Sequence, residues 1–495
     1  MRTALHAQWV LGFDGGDHVL HRDADVVYEE DRIIHAGPGW SGHADRRIDL
    51  GAALISPGFI DLDALADIDH ALLDSWAGPE LRAGHQWSEA YFTGGRRDVF
   101  SAGERRFIRR YALTQLLLHG ITTAMPIASE VHSSWAENYE DALGIADAAS
   151  GLGIRTYAGP SYRSGVNVVR SDGRPDVLWD EERGAEGLAG ARRFLDHAAG
   201  SADPLVRGAL LPCRIETMSL ELLRETARLA RAYDVPVRLH CMQGKAELGF
   251  LREWYGATPL EVLESTGLLE CRLFVPHAVF GAGEGTGSPP TDGELKRLAD
   301  AGVTVVHCPL TSLRYGMALR SFDRYRDAGI NIALGTDSFP PDLIRGMDAG
   351  SSIAKVVDGR LEAGGAADYL RSATLNAARA LGRDDLGRLA PGAQADLVVL
   401  NLGDFRQGVV DDPLRTLMMA GSARDVTTTV VAGRTVVAGG TVPGLDLVSM
   451  RGRAQELFER MRAAYSERDL RRRPAEVLFP PAFDGRRPAA ADMRS

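Results

Sequence analysis

No stretch of this chain strings together the roughly eighteen apolar residues that a membrane-spanning helix needs, so a helical anchor is not expected. The segment Met1 to Val10 lacks the basic stretch followed by an apolar run that marks a secretory signal. Cysteine is scarce: four in 495 residues, at Cys213, Cys241, Cys271 and Cys308, with no CxxC or other ligand spacing. That excludes a disulfide framework and a cysteine-based zinc module, and it predicts reduced, mostly buried thiols in a cytoplasmic protein. Positive charge is in deficit. A net charge of -11 argues against a nucleic-acid or anionic-membrane partner, since both require clustered positive potential, and the arginine run Arg471 to Arg473 is short. What is present, 45% hydrophobic and 25% charged residues, suits a chain with a substantial core and room for one large and one smaller domain.

Thr3 to about Leu54 predicts short strands broken by turns such as Phe13-Asp14-Gly15-Gly16. From Ile55 to about Leu381 short apolar runs alternate with amphipathic stretches. The runs include Gly120 to Ala124, Ile154 to Tyr157, Val235 to Leu239, Leu273 to Val275, Val303 to Val306 and Ile330 to Leu334, with a helix expected over Ser219 to Tyr233. Such repetition predicts a (β/α)8 TIM barrel, an α/β fold that takes roughly 250 residues or more. After Ala390-Pro391-Gly392 strand signals return at Asp396 to Leu400, Thr427 to Val431 and Gly433 to Val437. The expected organisation is a small composite β-sandwich domain from residues 1–54 plus 390–450, a catalytic barrel over 55–389, and a C-terminal helix and tail over 451–495. The helix is expected near Arg451 to Ser466. Beyond Asp469 the Pro/Arg-rich tail has too few apolar residues to fold alone, and Val477 to Phe483 either docks on a neighbour or stays loose.

In such a barrel the strands' C-terminal ends open into one mouth, so polar residues that close an apolar run mark the site. Four runs end this way, in His240, His277, His307 and Asp337. A single histidine so placed is more often a packing residue, whereas four in this order form a pattern. With Ile55-Ser56-Pro57-Gly58-Phe59-Ile60-Asp61, Pro276-His277, His307-Cys308-Pro309, Leu334-Gly335-Thr336-Asp337-Ser338, Thr374 to Gly382 and Pro391 to Leu400, the chain resembles the amidohydrolase superfamily over residues 3 to 466. The resemblance is to its aminohydrolase and chlorohydrolase branch, which includes guanine deaminase and the triazine hydrolases.

The resemblance implies a metal-dependent hydrolase, yet two positions depart from it. The family places His-x-His a few residues after Pro-Gly-Phe, where this chain has Asp63 and Leu65. The glutamate expected three residues after the strand-five histidine is Gln243, whose amide can hold a substrate by hydrogen bonds but cannot carry a titrating proton. As the resemblance implies, His240 and Asp337 are ligands and His277 lies beside the metal. Asp63 offers a carboxylate in place of the first lost histidine, and Leu65 offers nothing. Two nitrogen and two oxygen donors (His240, His277, Asp337, Asp63) suit one divalent ion, zinc first, with manganese or iron also compatible. The alternative is a metal-free site in which Asp337 is a general base, His240 and His277 carry protons or polarise the electrophile, and Gln243 orients the substrate.

Substrate contacts are expected from His307 and from loop residues Trp87, His132, Arg163 and Arg320, with Trp76, His85, Tyr91, Trp135, Tyr162 and Arg314 as further rim positions. His119 precedes a strand, at the opposite face. In the segment Asp61 to His70 one reading has Asp67, Asp69 or His70 fold back to complete the site and the other has them cap and solvate the next helix; Asp67 reads as a cap, and His70 stays open between the two. The function expected is hydrolysis of a C–N bond, by deamination or amide cleavage, in a small nitrogen-containing molecule. The alternatives are a metal-independent lyase, cyclase or isomerase on the same barrel, and an inactive small-molecule binding protein. Relatives of this kind are often homo-oligomers, and the resemblance carries that expectation over.

Overall fold

The computed structural model describes residues 1–69, 78–128, 133–282 and 287–483. The two β-rich ends of the chain meet in one eight-stranded sheet. Strand Ala53–Pro57 pairs antiparallel with Leu397–Asn401, with Ile55 opposite Val399, and this pairing joins the N-terminal and C-terminal segments. Period-two alternation decides where each side chain goes. Along Leu397–Asn401, Val398 and Leu400 face the main core, whereas Leu397 and Val399 enter a second cluster with Leu5, Val10, Val26 and Ile55. The opening strands are longer than the sequence suggested: Arg2–Phe13 and His18–Glu29 run twelve residues each and pair as a hairpin. In the second strand His18 to Asp25 is half-buried to exposed except for the buried Ala24, and the residues from Val26 to Tyr28 enter the core. The turn itself sits as expected, with Asp14 N donating to Asp17 O at 3.2 Å.

Between the β-rich ends lie two four-stranded parallel sheets flanked by helices. One contains Phe59–Leu65, Ile121–Ile127, Arg155–Ala158 and Val206–Gly208. The other contains Val237–Arg238, Leu273–Pro276, Thr304–His307 and Asn331–Leu334. Hydrogen bonds cross both seams between them: Arg238 N to Leu210 O at 3.0 Å, and Asp337 N to Asp63 O at 2.8 Å. Mixed α/β content of this barrel type agrees with the expectation from the alternating runs. The interior holds Ile60, Leu62, Met125, Leu211, Phe274, Val306 and Ala333, while Val237, Leu239, Val275 and Val305 face the helices.

The helix expected over Ser219 to Tyr233 spans Leu220–Tyr233, capped by the Ser219 hydroxyl accepting from Leu222 N and ended by Asp234 at φ 50°. A bidentate pair ties the composite sheet to the parallel strands. Arg155 Nε and Nη2 donate to Asp396 at 3.1 and 3.2 Å, and Nη2 also reaches Gln394 Oε1 at 3.0 Å, all buried. The C-terminal helix, Leu447–Arg468, is longer than expected at both ends. The segment after it docks on its own chain: Leu478 and Phe479 are buried against Ile68, Leu457, Met461 and Tyr465. His85 belongs to that contact, stacked on Phe479 at 4.5 Å with Nε2 3.0 Å from Leu478 O, so it is a packing residue and not a rim contact. All four cysteines are free and buried, and among the described residues no helix is long and apolar enough to cross a membrane.

Candidate metal centre

Three expected residues converge. Among the described residues, Asp63, His240 and His277 form the one group whose donor atoms all lie within 4.8 Å of one another. Asp63 lies in the last half of the first parallel strand, His240 follows the fifth and His277 the sixth, so one end of the strands delivers all three. Asp63 Oδ2 lies 3.5 Å from His240 Nε2, and the two imidazole rings are 5.5 Å apart. Asp337, after the eighth strand, brings Oδ2 to 3.6 Å from His277 Nε2. The cluster opens on one side: the His240 and Asp337 side chains keep 11% and 17% of their surface exposed, whereas Asp63 keeps 1% and His277 none.

Unusual backbone marks the same spot. Met242, His277, Ala278 and Asp337 are non-glycine residues at φ 60°, 68°, 48° and 38°, a left-handed region costly for L side chains. Such turns hold only where the surroundings over-determine them. Here the turns are pinned by His277 N to Val306 O at 2.9 Å and by the Asp337 carbonyl, which accepts from the Thr311 hydroxyl.

The protonation pattern follows from burial and neighbouring charge. Burial would push the Asp63 carboxyl up, but His240 and Arg238 beside it outweigh that and hold it well below the usual carboxylate range. Asp337 goes the other way, raised well above its ordinary value by burial and by the Asp63 charge. His277 is pushed down to about 3, chiefly by burial, so it is neutral at physiological pH. His240 Nδ1 lies 3.1 Å from the Cys213 carbonyl, and its Nε2 faces Asp63 Oδ2 at 3.5 Å. Among the described residues, neither buried nitrogen of His277 has a hydrogen-bond partner. A neutral buried imidazole with two unpaired nitrogens, a second presenting Nε2 and an ionised carboxylate are a donor set that fits a divalent cation.

The remaining expectations divide. Gln243 is half-buried, its Oε1 has no hydrogen-bond partner among the described residues, and its backbone N–H donates to Glu247 at 3.1 Å. His307 does not face the cluster with the others, which corrects its expected role as a substrate contact. Its ring packs against Phe322 and Tyr369, with Nε2 3.4 Å from the Tyr369 hydroxyl, because position 307 alternates toward the helix layer while Val306 points inward. Trp87 and Arg163 are buried with Trp135 near the ends of the first three strands, the Arg163 guanidinium 5.4 Å from the Trp87 ring. Arg320 is exposed, and His132, Trp76 and His70 lie outside the described residues. Asp67 is buried, with Oδ1 accepting from Asp69 N at 3.1 Å. The residue that sequence reasoning missed is Arg238, buried beside Asp63. Its signal was present: two residues before His240 in an apolar strand, it falls on the same inward face.

The model of the amidohydrolase family matches residues 54–436. A 5-methylthioadenosine/S-adenosylhomocysteine deaminase from Halobacterium salinarum is 28% identical over 471 residues, covering 91% of this chain and 98% of that protein. An 8-oxoguanine deaminase from Pseudomonas aeruginosa is 29% identical over 459 residues, covering 92% and 96%. Among solved structures, an adenosine deaminase from Xanthomonas campestris with bound zinc superposes with a TM-score of 0.75 at 22% identity, covering 93% of this chain and 98% of that one.

Proposed function

The chain belongs to the amidohydrolase family, and from that premise we propose that it hydrolyses a C–N bond of a small nitrogen-containing molecule, as a deaminase of a planar heterocycle. The observation that carries this is the convergence of Asp63, His240 and His277 within 4.8 Å at one end of the parallel strands. Those three residues would hold one divalent ion, zinc first, since the Xanthomonas campestris structure contains zinc. When bound, such an ion supplies Lewis acidity that lowers the pKa of water and polarises the electrophile.

The chain's own residues account for the rest. Asp337 has a proton affinity raised by burial and by Asp63, so it suits a group that takes a proton and returns it to a leaving amine. Asp337 Oδ2 lies 3.6 Å from His277 Nε2, which places that carboxyl beside the metal-holding residues. Gln243 offers a partnerless amide oxygen, which would accept a hydrogen bond from a substrate N–H. Trp87 and Arg163, which pack together with the guanidinium 5.4 Å from the ring, and the exposed Arg320 remain the substrate contacts of this reading, while His132 lies outside the described residues. In this reading the two parallel sheets close as a (β/α)8 barrel over 55–389. Residues 1–54 plus 390–450 form the composite β domain, 451–495 the C-terminal helix and tail, and the enzyme works as a cytoplasmic homo-oligomer.

A second reading is supported by Arg238. Its guanidinium already pairs with Asp63, so a metal-independent acid–base enzyme using Asp337 and the histidines has its charge balanced without an ion. Ammonia release from a panel of aminopurines, aminopyrimidines and aminotriazines, with and without a chelator, separates the two. Turnover that the chelator abolishes and zinc restores supports the first reading, and chelator-resistant turnover overturns it.

A further inference from the structure

Arg238 is an arginine with 1% of its surface exposed, in the fifth parallel strand. Its flanking residues Val237 and Leu239 face the helix layer, which leaves Arg238 and His240 on the inner face. The guanidinium reaches across the interior to the first two strands. Nη1 donates to the Met125 carbonyl, lies 3.4 Å from Leu62 O and lies 3.2 Å from Asp63 Oδ1. The opposite oxygen, Asp63 Oδ2, is the one that faces His240 Nε2 and the Cys308 thiol, each at 3.5 Å. One carboxylate is thus shared between a fixed cation and the donor cluster.

We propose that Arg238 is the built-in counter-cation of this cluster: it turns Asp63 Oδ2 toward the histidines, and its charge holds the affinity for a divalent ion below what the same donors give alone. The inference rests on the metal-holding reading of Asp63, His240 and His277. Guanidinium stays charged at every working pH, so its repulsion of an incoming cation in a water-poor interior is permanent. Its hydrogen bonds to Leu62 and Met125 prevent it from swinging away. Asp63 cannot neutralise both charges, and the conflict lowers the affinity of the site. A purely structural arginine would change stability on removal but leave metal affinity where it was.

Zinc affinity is measured by chelator competition on the metal-stripped full-length chain, with folding followed by circular dichroism. Arg238→Gln keeps a hydrogen-bond donor without charge, Arg238→Met keeps the aliphatic length should the first variant fail to fold, and Arg238→Lys keeps the charge. The neutral variants are expected to bind zinc about tenfold or more tightly, while Arg238→Lys stays within about threefold of wild type. Folded neutral variants with unchanged or weaker zinc affinity overturn the role given to Arg238 alone. Zinc binding by neither wild type nor any variant overturns the metal reading, and this inference with it.

Discussion

Asp63→Asn is the sharpest perturbation of the site, because it keeps the shape and removes one charge from a buried pair. Asp63 and Arg238 each have 1% of the side chain exposed, at 3.2 Å. At an effective dielectric near 20 the attraction at that separation is about 5 kcal/mol, and breaking one side of buried pairs costs roughly 3–5 kcal/mol. Asparagine retains an oxygen for the guanidinium, so about 3 kcal/mol is expected, read as a shift in the urea midpoint at constant slope. The sign with pH comes from the lowered carboxyl: its stabilisation is present above the unfolded-state value and is lost as pH falls through the folded one. The gap between wild type and variant therefore persists from neutral pH down to about pH 4 and closes below it. A double-mutant cycle with Arg238→Met isolates the pair, with a coupling of about 2 kcal/mol expected. Single variants within about 0.5 kcal/mol of wild type, or strictly additive effects, would refute the account of this pair.

Neighbouring residues give two further outcomes. Glu247 accepts from Met242 N, Gln243 N and Gly244 N, and burial together with Glu216 raises its carboxyl to about 7. Its contribution to stability is complete below the ordinary glutamate value and is lost as pH rises to about 7; Glu247→Gln should lack that slope in melting curves from about pH 4.5 to 8, and an unchanged slope contradicts the assignment. Gln243→Glu places a titrating group where the wild type has an amide, so turnover should rise by about tenfold or more and the pH–rate profile should gain a limb; a profile identical to wild type contradicts the placement of Gln243 at the reacting centre.

Much of the centre was legible because strand ends in this fold are also strand boundaries in the sequence: an apolar run that stops at His240, His277 or Asp337 marks both. Asp63 was legible through its place after Pro57-Gly58-Phe59. Strand alternation decided the failures. His307 closes its run as the others do, yet one step of register turns it to Tyr369 and the helix layer. By residue type alone Arg238 carried no signal of an inward position, because charged residues in apolar runs are ordinarily assigned to solvent, and the Asp63 carboxylate with the Leu62 and Met125 carbonyls makes an inward guanidinium tolerable. His85 and the tail were hidden for a different reason: the contact of His85 with Leu478 joins residues 393 apart, which no local pattern announces.

In the proposed reading Asp63, His240 and His277 hold a metal although Asp63 and Leu65 stand where the resemblance implies paired histidines. The measurement that tests it most directly is metal content by elemental mass spectrometry on untagged protein, for the wild type and for His240→Ala. The account predicts about one divalent ion per chain in the wild type and loss of that ion in a variant that remains folded. A folded wild type without bound metal, or a His240→Ala variant that keeps its ion, would contradict it.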